Sequence, residues 1–377
     1  MLLREHFPHT AQTVYLNHAA TGPLSRPVMD AVAAYLAERH GDHIENFLRF
    51  QPTIEATRAQ LAQLLGTQPG RVEFAPNTSY ALNVLALGLD WQPGDRIALP
   101  DCEFPTNVYP FLNLRRLGVD VDFIPTHEGA FTVEDVERTL TDRTRLVSVS
   151  WVQFLSGFRA DLAGIGQLCK ERGVLFCVDA IQGMGALQLG SVHDLGIDFL
   201  ACGCHKWLMS TQGLGFLFLT QEVQDRLTPV LAGWLHGPID WEKLSEYDLH
   251  FHPDATRFRL GTTNNTGIAA LNASLKLYLG AGASACERQV LHLAGRLRAG
   301  LLDAGLSIYG ATETERTAGI VTVRHPEPEA ALERLNAAGV EAALRNRLLR
   351  LAPTYYNTES EVDVAIEALG SLRARGE

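Results

Sequence analysis

Nowhere in this chain do apolar residues run for the roughly 18 positions that a membrane-spanning helix needs. The opening MLLREHFPHTAQ also lacks the apolar core of a secretion signal, so the sequence predicts a cytoplasmic protein that neither spans nor rests on a membrane. Cysteines are few, six in 377 residues, and their spacing is not that of a disulfide framework. Cys169, Cys177 and Cys202 lie in apolar segments and read as small core residues of a reducing compartment. Positive charge is in deficit: 32 Lys and Arg face 43 Asp and Glu, a net −11, which argues against nucleic acid or an anionic membrane as partner. No repeat or low-complexity tract appears. The dinucleotide fingerprint GxGxxG is missing too. Gly183-x-Gly185 is followed by Gln188 where a third glycine belongs, and Gly213-x-Gly215 by Phe218, which weakens a nicotinamide reading.

What is present is apolar material in abundance, 46% of the residues, enough for a large core. Short β-like runs alternate with helical ones. Strands are expected at 72–75, 96–99, 119–124, 146–152, 174–178, 199–203 and 216–219. Helices are expected from Ser25-Arg-Pro27 to a stop at Gly41, over 52–65, from 76 to 89, from Thr106, from Val133 and over 162–172. This alternation means an α/β fold with a mostly parallel sheet. From about Gly261 the pattern changes to helices at 267–279, 284–304 and 328–338 with short strands at 306–309 and 318–323. The expected organisation is a large domain over 15–260 and a smaller α+β domain over 261–377, with residues 1–14 packed on the latter.

One lysine stands out. In Asp198-Phe-Leu-Ala-Cys-Gly-Cys-His-Lys-Trp-Leu208 an apolar strand runs into His205-Lys206-Trp207. A buried ammonium is costly unless it is paired or made neutral, and a Schiff base makes it neutral. Upstream, the apolar strand Gly173-Val-Leu-Phe-Cys-Val-Asp179 ends in a carboxylate. Alone, such an Asp is a turn or helix cap and such a Lys a surface residue with a buried stem. Together, on neighbouring strands, they meet the needs of pyridoxal phosphate (PLP). Lys206 would form the Schiff base, and Asp179 would keep the pyridine nitrogen protonated, which makes the ring an electron sink.

VDAIQGMGAL followed by CHKW resembles the class V aminotransferase family of PLP enzymes, which includes cysteine desulfurases, isopenicillin-N epimerase-like enzymes and kynureninase. The resemblance extends over nearly the whole chain. It implies the PLP-dependent transferase fold (fold type I) and a set of site residues. Ala75-Pro-Asn77-Thr78-Ser79 is a strand end opening a helix, an anion site by its free amides and hydroxyls, and Thr78 and Ser79 carry over as phosphate ligands. His205 carries over as a phosphate-side residue, whereas Gly203 stands where a serine hydroxyl is common. Phe104, in Asp101-Cys-Glu-Phe104-Pro, takes the place of the residue stacked on the cofactor ring. Gln182 matches the residue that hydrogen-bonds the ring oxygen; Gln153 is a second candidate for that oxygen or for the substrate carboxylate. Arg350, before Tyr356-Asn357-Thr358, matches the guanidinium that grips the substrate α-carboxylate. Arg257-Phe-Arg-Leu-Gly261-Thr262 resembles a loop that reaches the neighbouring subunit's phosphate, implying a homodimer in which Thr262 donates across the interface.

The family divides by what approaches the cofactor. Desulfurases carry a nucleophilic Cys on a loop shortly before the carboxylate Arg and a His where Phe104 stands. Here Val340–Arg350 contains no cysteine. The expectation is an aminotransferase, epimerase or C–S lyase acting at Cα of an amino acid, with a desulfurase, selenocysteine lyase-type or kynureninase-like enzyme as the alternative. A non-catalytic PLP-fold binding protein is the remote one. Cys202-x-Cys204-His205 has the donor types of a metal site but lacks a fourth ligand, so no metal is expected.

Overall fold

The computed structural model describes residues 3–370. A two-residue strand β1 (Val14–Tyr15) precedes helices α1 (Arg26–Ala37) and α2 (Phe47–Leu65). The main sheet then starts with β2 (Val72–Ala75), followed by α3 (Thr78–Gly88), β3 (Arg96–Pro100), the single turn α4 (Tyr109–Leu112) and β4 (Asp120–Ile124). It continues through α5 (Val133–Thr139), β5 (Thr144–Ser150), α6 (Leu162–Arg172), β6 (Leu175–Asp179), β7 (Phe199–Gly203) and β8 (Gly215–Leu219), with α7 (Gln221–Arg226) after it. The seven strands lie in the order β2-β8-β7-β6-β5-β3-β4. All are parallel except β8, which runs against both its neighbours. Asp179 aligns with Ser150 on one side and Ala201 on the other, so the carboxyl ends of β5, β6 and β7 form one edge. Ligands bind at this edge in open parallel sheets.

Strand residues sort by parity into two cores. Val147, Val149, Phe176, Val178, Leu200 and Cys202 face one; Leu146, Leu175, Cys177, Phe199 and Ala201 face the other. Side chains alternate along a strand, so a sheet covered on both faces must be apolar on both, as β6 is up to Asp179 and β7 throughout. Phe176 is fully buried. Truncating it to Ala would cost about 3–5 kcal/mol. The helices are fixed locally. In α6 the Asp161 carboxylate accepts the Gly164 amide at 2.9 Å, and in α5 Thr132 and Asp135 cap each other reciprocally.

The rest of the chain comprises α8 (Asn265–Ala281), α9 (Ala283–Asp303), β9 (Ser307–Ile308), β10 (Val321–Arg324), α10 (Pro328–Ala337), β11 (Val340–Glu341), β12 (Ala343–Arg345), β13 (Leu348–Leu351) and α11 (Glu359–Gly370). A four-stranded sheet β12-β13-β10-β9 packs on α9, α10 and α11 around Leu293, Leu297, Val323, Leu335, Leu349 and Val362. α8 falls after Gly261, yet Ile268, Leu271 and Leu275 are buried in the core of the large sheet, where it packs on α1 and α2. The N-terminal stretch docks on the C-terminal part. Phe7 stacks on Tyr356 at 4.2 Å, Arg4 pairs with Glu361 at 2.8 Å, and β1 adds a parallel strand to β11.

Three local expectations shift. α2 begins at Phe47 and passes through Pro52; the carbonyl that Pro52 cannot satisfy belongs to Leu48, which is exposed to solvent. The helix expected from Thr106 is broken into a turn over Pro105–Asn107, the single turn α4 and a turn over Asn113–Leu117, with Pro105 and Pro110 at the breaks. Gly41 does not stop α1, which widens into a π-helical turn over Glu38–Asp42.

Candidate active site

The edge formed by β5, β6 and β7 opens into a cavity of about 510 Å³, the size of a cofactor-plus-substrate site. It is lined by Thr78, Ser79, Phe104, Asp179, Gln182, His205, Lys206 and Arg350, eight residues singled out from the sequence. Two others lie elsewhere. Gln153 does not line it: its amide is buried and donates to Glu103 at 2.7 Å. Thr262 lines a separate cavity of about 180 Å³ beyond the β2–α3 turn, with Pro76, Tyr80 and Asn264. A third cavity, about 600 Å³ around Phe131, Trp151, Arg159 and Glu315, has no lysine or histidine in its lining.

Lys206 sits in the turn just after β7. That turn is held from the N-terminal segment, where the Gly22 amide donates to the His205 carbonyl at 2.8 Å. A Cβ at Gly22 would lie 2.0 Å from the Lys206 carbonyl oxygen, so only glycine permits the approach. Burial lowers the Lys206 ammonium to about 8; Asp179 acts against that shift, while Arg350 and Arg345 add to it. Burial raises Asp179 to about 6, opposed by the Ile181 amide at 3.0 Å and by Lys206. Burial thus drives both groups toward neutrality, as at functional sites where a proton must move near neutral pH. Lys206 Nζ stands 5.7 Å from the centroid of the Phe104 ring, which is braced edge-on by Phe154 at 5.2 Å.

Gln182 is immobilised at both ends. It donates to the Ala19 carbonyl at 3.0 Å and accepts from Trp207 Nε1 at 2.9 Å. Arg350 is buried and donates from Nη1 to the Phe154 carbonyl at 2.8 Å; burial, then Arg345, lowers its pKa to about 10. Sequence reasoning missed several contributors. Glu103 is buried, accepts from the Ser150 amide and hydroxyl and from Gln153, and is raised by burial to about 7. Its partners lie far away in sequence, so no local signal announces it. Ala19–Thr21, Thr106, Phe154 and Arg345 also line the cavity. His18, behind this wall, bonds the Ala352 carbonyl at 2.7 Å and Tyr356 Oη at 2.5 Å, and burial holds it neutral.

The residues at the cavity suit PLP on their own evidence. Thr78 Oγ1 is buried without a partner at the first turn of α3, where free amides favour an anion. A Cβ at Gly203 would come within 2.8 Å of Ile181 Cδ1 and 3.1 Å of that hydroxyl, so glycine keeps the floor open.

The class-V aminotransferase family model matches residues 14–345. The chain belongs to this family. Class-V aminotransferases are PLP enzymes. Two relatives match it over nearly its whole length. It is 28% identical to a probable cysteine desulfurase of Methanothermobacter thermautotrophicus, over 100% of this chain and 96% of the relative. It is 27% identical to isopenicillin N epimerase of Streptomyces clavuligerus, over 95% and 94%. Among solved structures, the complex of the cystine C–S lyase C-DES with its reaction product cysteine persulfide superposes with a TM-score of 0.90 at 23% identity, over 97% of this chain and 99% of that one. Among the described residues no helix is long and apolar enough to cross a membrane.

Proposed function

We propose that this class-V enzyme transforms an amino acid by moving its Cα proton with Lys206, without any protein thiol: an aminotransferase, epimerase or C–S lyase. The observation that carries the reading is that none of the six cysteines lines the cavity. Five are buried and Cys102 is half-buried; burial raises every one of the six, so none offers a thiolate at neutral pH. The loop that would carry a desulfurase cysteine is the hairpin β12–β13, with Asn346-Arg347 at its tip.

PLP, when bound, supplies an electron sink for the carbanion left at Cα. In this reading Asp179 holds the ring nitrogen's proton. Thr78, Ser79 and His205 hold the phosphate. Phe104 covers the ring and Gln182, fixed by Ala19 and Trp207, faces its oxygen. Arg350 binds the substrate α-carboxylate and so aims the Cα–H bond at Lys206, whose low pKa suits a base at neutral pH. Gln153 acts as a positioning residue through Glu103. We further assign a homodimer with Thr262 at the neighbouring subunit's phosphate, and a cytoplasmic location suited to six unpaired thiols.

The names of several relatives favour a desulfurase. The deciding experiment is a panel of amino acids, with and without a keto acid acceptor, scored separately for pyruvate, sulfide, alanine and new amino acid. Pyruvate, transamination or epimerisation supports the reading. Alanine from cysteine together with a protein-bound persulfide overturns it.

A further inference from the structure

The cavity holds one more cation than PLP and an amino acid account for. Its ionisable lining is Asp179, His205, Lys206, Arg345 and Arg350. Under the reading above, His205 and the start of α3 would meet the phosphate, Asp179 the ring nitrogen and Arg350 the α-carboxylate, while Lys206 would be taken up by its bond to the cofactor. Arg345 is left over.

The hairpin explains its position. In the antiparallel pair β12–β13, Ala343 faces Arg350, Leu344 faces Leu349 and Arg345 faces Leu348. Residues alternate between faces, so Arg345 and Arg350 share one face as a diagonal pair, while Leu344 and Leu349 turn to the small core. The strands are joined by only two residues, Asn346 and Arg347, both at positive φ (48° and 60°). Such a tight turn, strained without glycine, fixes the register and hence the offset between the two guanidiniums. At the tip, Arg347 is paired with Glu329 at 3.2 Å. The Arg345 guanidinium has no acidic partner among the described residues; its one side-chain hydrogen bond goes to the adjoining Leu344 carbonyl at 2.8 Å. It lies at the exposed rim, whereas Arg350 is buried below.

We propose that Arg345 is a specificity-determining residue that binds a second anionic group, on the side chain of the amino-acid substrate. The substrate class is then an amino acid with a distal carboxylate or comparable oxyanion. The two arginines would hold the two acid groups at a spacing set by their diagonal. This inference rests on the assignment of the α-carboxylate to Arg350.

The test uses purified holoenzyme and matched substrate pairs differing in the distal charge: S-carboxymethyl-L-cysteine against S-propyl-L-cysteine, and L-glutamate against L-norleucine. Wild type should favour the charged member in kcat/KM. Arg345→Gln should lose roughly 10–100-fold on charged members, the size of one charge-assisted hydrogen-bonded contact. The loss should sit mainly in KM, so that the charged-to-neutral preference collapses toward unity. Arg345→Lys should recover part of it. As a second readout, glutarate should perturb the cofactor absorbance of wild type at lower concentration than pentanoate does, and this difference should vanish in Arg345→Gln. Equal losses on both members of a pair would mean that Arg345 shares the α-carboxylate or holds the hairpin, and would overturn the proposal with the functional reading intact. So would a wild type indifferent to the distal charge. A protein that loads no PLP on Lys206 and turns over no amino acid would overturn both.

Discussion

Arg350 reaches across from the small sheet to donate to the Phe154 carbonyl, in the loop after β5, at 2.8 Å. One guanidinium nitrogen is thereby spent on fixing the fork, and the pair ties the C-terminal part of the chain to the edge of the large sheet. Arg350→Ala should therefore raise KM and lower kcat, a combined loss of roughly 100-fold or more in kcat/KM, because it removes both the grip and the aim. Steady-state kinetics on the best substrate of the panel tests this; unchanged constants would remove Arg350 from the site.

Lys206 should carry the cofactor. Borohydride reduction of the yellow holoprotein followed by peptide mapping should place the adduct on Lys206, and Lys206→Ala should lose turnover while folding normally. An adduct on Lys170 or Lys276 instead would refute the assignment.

Cofactor capture should report the lowered pKa of this lysine. The neutral amine is the nucleophile, so PLP uptake by the apoprotein should climb about tenfold per pH unit and level off above about 8. Asp179 raises the Lys206 pKa, so Asp179→Asn should move the break to lower pH. Stopped-flow absorbance across pH 6–10 measures both; a rate still climbing at pH 10 would contradict the burial argument.

Asp179→Asn should also retain PLP yet lose roughly 100–1000-fold in kcat, the scale seen when one electrostatic stabiliser of a transition state is removed. An amide cannot keep the ring nitrogen charged. Near-normal turnover would count against the role.

Cysteine chemistry gives a fifth check. Cys204 is the thiol nearest Lys206 in sequence, but it is fully buried and packs in the same core as Cys202. Cys204→Ala should leave product identity unchanged with cysteine as substrate. Loss of a protein-bound persulfide in that variant, with alanine no longer formed, would reverse the conclusion.

Asp179, Lys206 and His205 were legible because each lies within a few residues of an unmistakable apolar strand, and the strands were legible because both faces of the sheet are covered. Arg345 was not. It is one of three arginines in a short stretch, and only the register of β12 on β13 distinguishes it from Arg347. Glu103 was hidden for a similar reason: the groups that hold it, Ser150 and Gln153, come from the end of β5 and the loop beyond. Gln153 was expected to face the ring oxygen or the substrate carboxylate because a strand end reads as open edge, whereas its amide is turned to the buried Glu103 carboxylate. The hairpin itself escaped notice since strands of three or four residues with two charges and no glycine turn carry almost no periodic signal. α11, by contrast, is fixed locally, with Thr358 and Glu361 exchanging hydrogen bonds across its first turn.

The pairing of Val14 with Val340, and of Asn17 with Ala352, has a consequence for how the protein comes into being. The strand at residues 14–15 must wait for the one at residues 340–341, a contact of very long sequence separation that closes late. The segment between those pairings and α1 is the one that leans on His205 and supplies Ala19, Ala20 and Thr21 to the cavity wall. A nascent chain can thus complete its large sheet, with Asp179 and Lys206 in place, while the cavity still lacks a wall. The reactive lysine stays in an unfinished pocket until residue 352 has emerged, so competence follows the closing of that pairing and not the completion of the large sheet.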